Sequence, residues 1–132
     1  MSMRGIRGAT TIESDTSANV LSATRELLEA MLAGNPGLKS ADIGSAIFTV
    51  TEDICSVFPA RAARELGWAG VPMLDAREIP VPGGLPLCIR VLLHWNTAKE
   101  QGKICHIYLR GARALRPDLE LSTLNQNEDE KR

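Results

Sequence analysis

Six side chains in this sequence carry the charge or hydrogen-bonding capacity that a polar ligand would need: Arg7, Arg64, Glu78, Arg90, Tyr108 and Arg116. Arg90 stands out by its surroundings. It falls inside the most apolar run of the chain, residues 81–96, with Cys88 and Leu92 as its neighbours on one strand face. A guanidinium placed there is partly stripped of water and must find an anion or several acceptors. A lone arginine in such a position is more often a structural ion pair or a charge guarding an edge strand. Arg90 has company, however, and three or more guanidiniums in one pocket would suit a small polycarboxylate, because each presents a planar fork to a carboxylate. Arginine outnumbers lysine eleven to four, a skew that codon bias would also produce.

The chemistry that is missing narrows the field. There is no Ser-His-Asp set, phosphate loop or dinucleotide fingerprint. His94 and His106 lie twelve residues apart on different expected strands, with no cysteine or carboxylate at ligand spacing, so no metal site is expected. Cys55, Cys88 and Cys105 are odd in number and form no C-x-x-C, which makes them reduced packing residues.

The elements that must position these groups follow from periodicity. Read with a period of two, Leu87, Ile89, Val91, Leu93 and Trp95 form a wholly apolar face, opposite Cys88, Arg90, Leu92, His94 and Asn96. Residues 3–13 read as a first strand in which Gly5 and Gly8 permit close approach and Arg4 and Arg7 face opposite ways. Ser14, Asp15 and Thr16 offer N-caps to a long amphipathic helix carrying Val20, Thr24, Leu27, Leu28 and Met31 inward and ending at residues 34–37.

Residues 45–51 read as a buried strand, and residues 58–67 as a helix of about two turns between Pro59 and Gly67. Arg61 and Arg64 share a face of that helix, most simply a solvated one. Residues 71–75 form a short strand, with a Pro- and Gly-rich turn placing Glu78 near the mouth of the central strand. Residues 103–110 read as a last strand with Ile104, His106 and Tyr108 on one face. The expected fold is therefore α+β, a mixed sheet with a long helix on one face.

Size and charge set the outer bounds. The chain has 132 residues, enough for one domain with a real core. No stretch reaches the roughly 18–20 apolar residues of a membrane span, and residues 1–7 lack an apolar signal region, so a cytoplasmic location is expected. Net charge is −1, or +1 for residues 1–118, which gives no nucleic-acid footprint. Residues 120–132 form a polar tail with too little apolar surface to fold alone.

Several segments together resemble one family. Arg4-Gly-Ile-Arg-Gly-Ala-Thr10, Phe58-Pro-Ala60 with Ala63-Arg-Glu65, Gly83-Gly84 with Cys88-Ile-Arg-Val91, His106-Ile-Tyr-Leu109 and Leu115-Arg-Pro-Asp-Leu119 look like the monofunctional AroH-type chorismate mutases. The likeness runs in order from about residue 3 to residue 119, which delimits a single domain at 1–119. It implies a homotrimer forming a pseudo-α/β barrel, with sites at subunit interfaces that turn chorismate into prephenate without a cofactor. Arg7 and Tyr108 match residues that hold a substrate carboxylate, Arg90 matches the cation facing the breaking ether oxygen, and Glu78 matches the partner of the ring hydroxyl. Phe58, Ala60, Arg64, Met73, Leu74, Leu115 and Arg116 match pocket-lining or closing positions.

Two positions depart from the family's pattern. Asp75 stands where a Cys or Ser is usual, adding a charge expected beside Glu78. It should then pair with a base such as Arg77 or have a raised pKa. Leu74 replaces a smaller polar residue.

The chemistry implied suits the residues. A Claisen rearrangement needs no nucleophile, general acid or metal, only a dianion held in a compact conformer and a cation where negative charge grows. A non-enzymatic trimeric module sensing a carboxylate metabolite would use the same arginines, but Glu78 among them favours a hydroxylated substrate. A phosphate-ester enzyme would usually recruit metal ligands that are absent here.

Overall fold

A computed structural model of the chain describes residues 1–115. Arg116, the last residues of the family likeness and the tail expected over 120–132 lie outside the described residues. The elements are strand β1 (Ser2–Thr11), helix α1 (Ser17–Gly34), strand β2 (Ile43–Val50), helix α2 (Ala60–Glu65), strands β3 (Met73–Arg77), β4 (Cys88–Thr97) and β5 (Ile107–Tyr108), and a closing 3-10 turn at Arg110–Leu115.

The helix α1 forms where its apolar spacing and its cap agree. The Thr16 side chain accepts from the Asn19 backbone N–H, satisfying one of the free donors of the first turn. Val20, Thr24, Leu27, Leu28 and Met31 are all buried, as the spacing predicts. Leu27, Leu28 and Met31 lie on Ile6, Phe48, Val91, Leu93 and Trp95 of the sheet, joined by Ala60 and Ala63 of α2, while Val20 packs with Ile12, Ile54 and Ile89. Gly8 makes room at this contact, because a Cβ there would come 2.5 Å from Met31 Sδ and force the buried Met31 side chain to shift.

Among the described residues the sheet has five strands in the order β3-β2-β4-β1-β5. β4 runs antiparallel to both β1 and β2, while β5 and β3 pair parallel to β1 and β2 at the two edges. The most apolar strand thus takes the centre. Its odd residues Ile89, Val91, Leu93 and Trp95 are buried under the helices. Its even residues Arg90, Leu92 and His94 are half-buried on the opposite face. No helix of the described residues is long and apolar enough to cross a membrane.

Two expectations change at strand ends. Leu87 packs on the apolar side as its parity predicts, but its φ of 49° takes it out of the strand. It is held there by Asp53, whose carboxylate accepts from the Leu87 N–H at 2.9 Å and from the Thr51 hydroxyl. The eight-residue strand expected over 103–110 contracts to Ile107–Tyr108. Ahead of it, the Asn35 side chain takes both the N–H and the C=O of Cys105, removing them from any ladder. Behind it, Arg110 adopts a left-handed φ of 52° and turns the chain.

Candidate active site on the open face of the sheet

Register brings the polar residues of the uncovered face together. Arg90 pairs with Thr49 on one side and Ala9 on the other, and Ala9 pairs in turn with Tyr108. Thr49, Arg90, Ala9 and Tyr108 therefore form one row across four strands, with Tyr108 two strand spacings, roughly 10 Å, from Arg90. The next row holds Ile47, Leu92 and Arg7. Glu78 follows β3 directly and is anchored by its N–H to the Val50 carbonyl at 2.8 Å. These residues line a cavity of about 270 Å³ that includes Arg7, Glu78, Arg90 and Tyr108.

Within the cavity Glu78 Oε1 lies 3.3 Å from Arg90 Nε and accepts a hydrogen bond from the Thr49 hydroxyl. The Arg90 Nε is enclosed, and its N–H is not aligned for a hydrogen bond with any described residue. The Arg90 side chain as a whole is 43% exposed, so the exposure belongs to the rest of it. Cys88 lies on the same face, fully buried. Burial pushes its thiol up, outweighing the lowering by the nearby Arg90 cation, so at neutral pH it is no thiolate partner for Arg90. An anion reaching this cavity would meet Arg7 and Arg90 before any carboxylate except Glu78, itself engaged by Thr49.

The structure distributes the other sequence candidates. Leu74 pairs with Ile47 and lies on the same open face, 68% exposed. Leu115 packs with Tyr108 against Ala9, Cys88 and Ala112. Phe58 and Asp75 line a second hollow of about 500 Å³ beside Val57 and Pro59. Ala60 is buried, Met73 packs against the main core, and Arg64 is exposed on α2.

Asp75 corrects an expectation. It pairs in register with buried Phe48, on the helix side of the sheet, away from Glu78 of the same chain. Its Oδ1 accepts from the Ala60 N–H at 3.0 Å, at the start of α2. Its pKa is indeed raised, but burial is the cause, with the Ala60 hydrogen bond and the Arg64 cation opposing it. Arg77 instead donates to the Glu52 carbonyl at 2.7 Å.

Thr49 is the site residue that the sequence reading missed. It alternates with buried Phe48 on β2, but which residue of β4 it would face depends on register, and no short motif sets that.

An α+β protein with a mixed sheet, helices on one face and an arginine-lined cavity on the other is the class defined so far. The family model for chorismate mutase type I matches residues 3–119. A chorismate mutase AroH of Thermus thermophilus is 55% identical over 118 residues, covering 89% of this chain and 97% of that protein. A chorismate mutase AroH of Bacillus subtilis is 45% identical over 123 residues, covering 92% and 96%. Among solved structures, a chorismate mutase from Clostridium thermocellum superposes with a TM-score of 0.81 at 46% identity, over 83% of this chain and 97% of that one. The chain belongs to the chorismate mutase type I family.

Proposed function

We propose that the cavity of Arg7, Glu78, Arg90 and Tyr108 holds chorismate and lets it rearrange to prephenate by restraint and electrostatics. Family membership carries the activity itself, the isomerisation of chorismate in aromatic amino-acid biosynthesis. In this reading Arg7 and Tyr108 orient a substrate carboxylate. Arg90 faces the ether oxygen, where negative charge grows as the C–O bond opens, so its attraction strengthens in the transition state. Glu78 receives the ring hydroxyl, and Thr49 fixes the carboxylate that does so.

The assembly is part of the proposal. A homotrimer in a pseudo-α/β barrel would cover the open face, where Leu74 is exposed, and would close each cavity with Phe58, Arg64 and Asp75 of a neighbouring copy, which its own buried Ala60 and core-packed Met73 support from beneath. Support comes from Phe58 and Leu74, each 68% exposed, two large apolar side chains that a single chain leaves open to solvent. Arg116 and Leu115 would complete the closure. The same reading puts the enzyme in the cytoplasm, as a single domain over residues 1–119, with no nucleic acid or membrane among its partners.

The observation that carries the mechanism is the half-exposed Arg90 beside Glu78 in a cavity that also holds Arg7 and Tyr108. Arg90→Ala should lower kcat by at least the ~2.7–4 kcal/mol seen for losing one oxyanion donor, with a smaller effect on substrate affinity. Lysine should rescue only part, keeping the charge but losing the fork. Thermal unfolding and single-turnover conversion of chorismate on one preparation decide the matter. Normal turnover in a destabilised Arg90→Ala protein would reduce Arg90 to a structural ion pair.

A further inference from the structure

β5 is only two residues long, yet the edge of β1 that it should cover runs from Gly5 to Ala9. Along that edge the backbone is completed by other groups. The Gln101 side chain accepts from the Gly5 N–H at 3.0 Å and donates to its carbonyl at 2.7 Å. The Leu109 N–H donates to the Ala9 carbonyl at 2.9 Å. Between them the Arg7 N–H donates to His106 Nδ1 at 2.9 Å. An imidazole nitrogen thus stands where a strand carbonyl would be, at the residue whose side chain enters the cavity.

We propose that His106 is a positioning residue for Arg7, and that it works only as the neutral ring with its proton on Nε2. Nδ1 can accept from Arg7 only through its lone pair, whereas the imidazolium carries an N–H there and would confront the Arg7 donor with a second donor. Protonation therefore opens the β1–β5 seam between Arg7 and Tyr108, the two groups that orient the substrate. Burial holds the His106 pKa below its ordinary value, so the lock is closed at neutral pH and released as pH falls.

The surrounding charges leave burial in control. The neighbouring parts of β1 and of the segment around β5 carry Arg4, Arg7, Lys103 and Arg110 and no acid, so no carboxylate there offsets the burial that lowers the His106 pKa. The α1 helix packs near β5 through Gly34, where a Cβ would come 3.1 Å from Ile107 Cδ1. Its charged residues are paired elsewhere, Arg25 with Glu29 and Glu26 with Arg110. Cys105, the preceding residue, directs its Sγ to the His106 carbonyl.

This inference rests on Arg7 as a carboxylate-orienting residue, and its test has an arm that needs no substrate. Long-range proton–nitrogen spectra of the wild-type protein should show His106 with a bare Nδ1 and a proton on Nε2 at neutral pH. His94 is the only other histidine, and it meets the Ser45 hydroxyl instead. In kinetics, wild-type kcat/KM should fall below pH ~6.5, the ordinary histidine value, through a rise in KM. In His106→Asn, whose Oδ1 can still accept from Arg7, that part of the fall should disappear. His106→Leu, with no acceptor, should show a raised KM at every pH. A proton on Nδ1 in the neutral protein, an unchanged acid limb in His106→Asn, or a wild-type KM in folded His106→Leu would each overturn the proposal. Failure of the Arg7 role registers separately, as a normal KM in Arg7→Ala with the tautomer as expected.

Discussion

Asp75 and Glu78 stand three residues apart, and the structure gives them opposite sides of the sheet and opposite tasks. Glu78 turns into the cavity toward Arg90, while Asp75 accepts the Ala60 N–H at the start of α2. Burial raises the Asp75 pKa above 3.8, so the folded protein binds its proton more readily than the unfolded chain does. The sign follows from that. The ionised carboxylate is the less favourable form in the fold, and the penalty is relieved as pH falls from neutral through the folded pKa. Asp75→Asn keeps an oxygen for Ala60 and removes the charge. It should melt no lower than wild type at pH 7, and the wild type should gain on it as pH falls toward 4. A variant that melts lower at pH 7, with the gap closing in acid, would show that attraction to Arg64 outweighs burial. Melting temperatures of both proteins across this range check the point.

Among the elements, the junction between α1 and β5 does most to place Tyr108. Asn35 is almost fully buried at the helix end, where its side chain donates to the Met31 and Cys105 carbonyls and accepts from the Cys105 N–H. These three bonds stop the strand short and fix where β5 begins. Asn35→Ala would strip partners from the buried Met31 carbonyl and from the part-buried N–H and C=O of Cys105, and an orphaned buried group costs about 1–3 kcal/mol, so a loss of at least ~1 kcal/mol is expected in denaturant unfolding. The slope against denaturant should stay unchanged, because the folded core is otherwise intact. A loss below 1 kcal/mol would mean that water takes over the role of the amide.

At the scale of the whole molecule, the split between two hollows gives the assembly a test. Arg7 and Arg90 line one cavity of a single chain, so mixing Arg7→Ala with Arg90→Ala chains leaves every site with a lesion. Arg64 lies on α2 and does not line that cavity. If a neighbour's α2 region closes the site, mixing Arg90→Ala with Arg64→Ala chains after subunit exchange should regenerate some fully wild-type sites. Activity should rise above that of either parent, read as chorismate consumed per chain. A monomeric mass by light scattering with full activity retained would remove the interface from the proposal.

What the residues determined alone was local and periodic. The α1 stripe from Val20 to Met31, its start at Thr16 and the two-faced β4 with Arg90 on the polar side all follow from spacing and capping, which act within a few residues. Order along the chain and the quoted motifs also nominated Arg7, Glu78, Arg90 and Tyr108, which the fold brings to one cavity. The tertiary structure decided whatever depends on which strands lie side by side. Register put Thr49 beside Arg90 and sent Asp75 to the helix side, and a one-residue slip would have exchanged those faces. Side chains distant in sequence, Asn35 and Gln101, replaced strand backbone and cut the 103–110 strand to two residues. Such contacts span 70 or more residues, and no local preference can encode a partner that only the folded chain brings near.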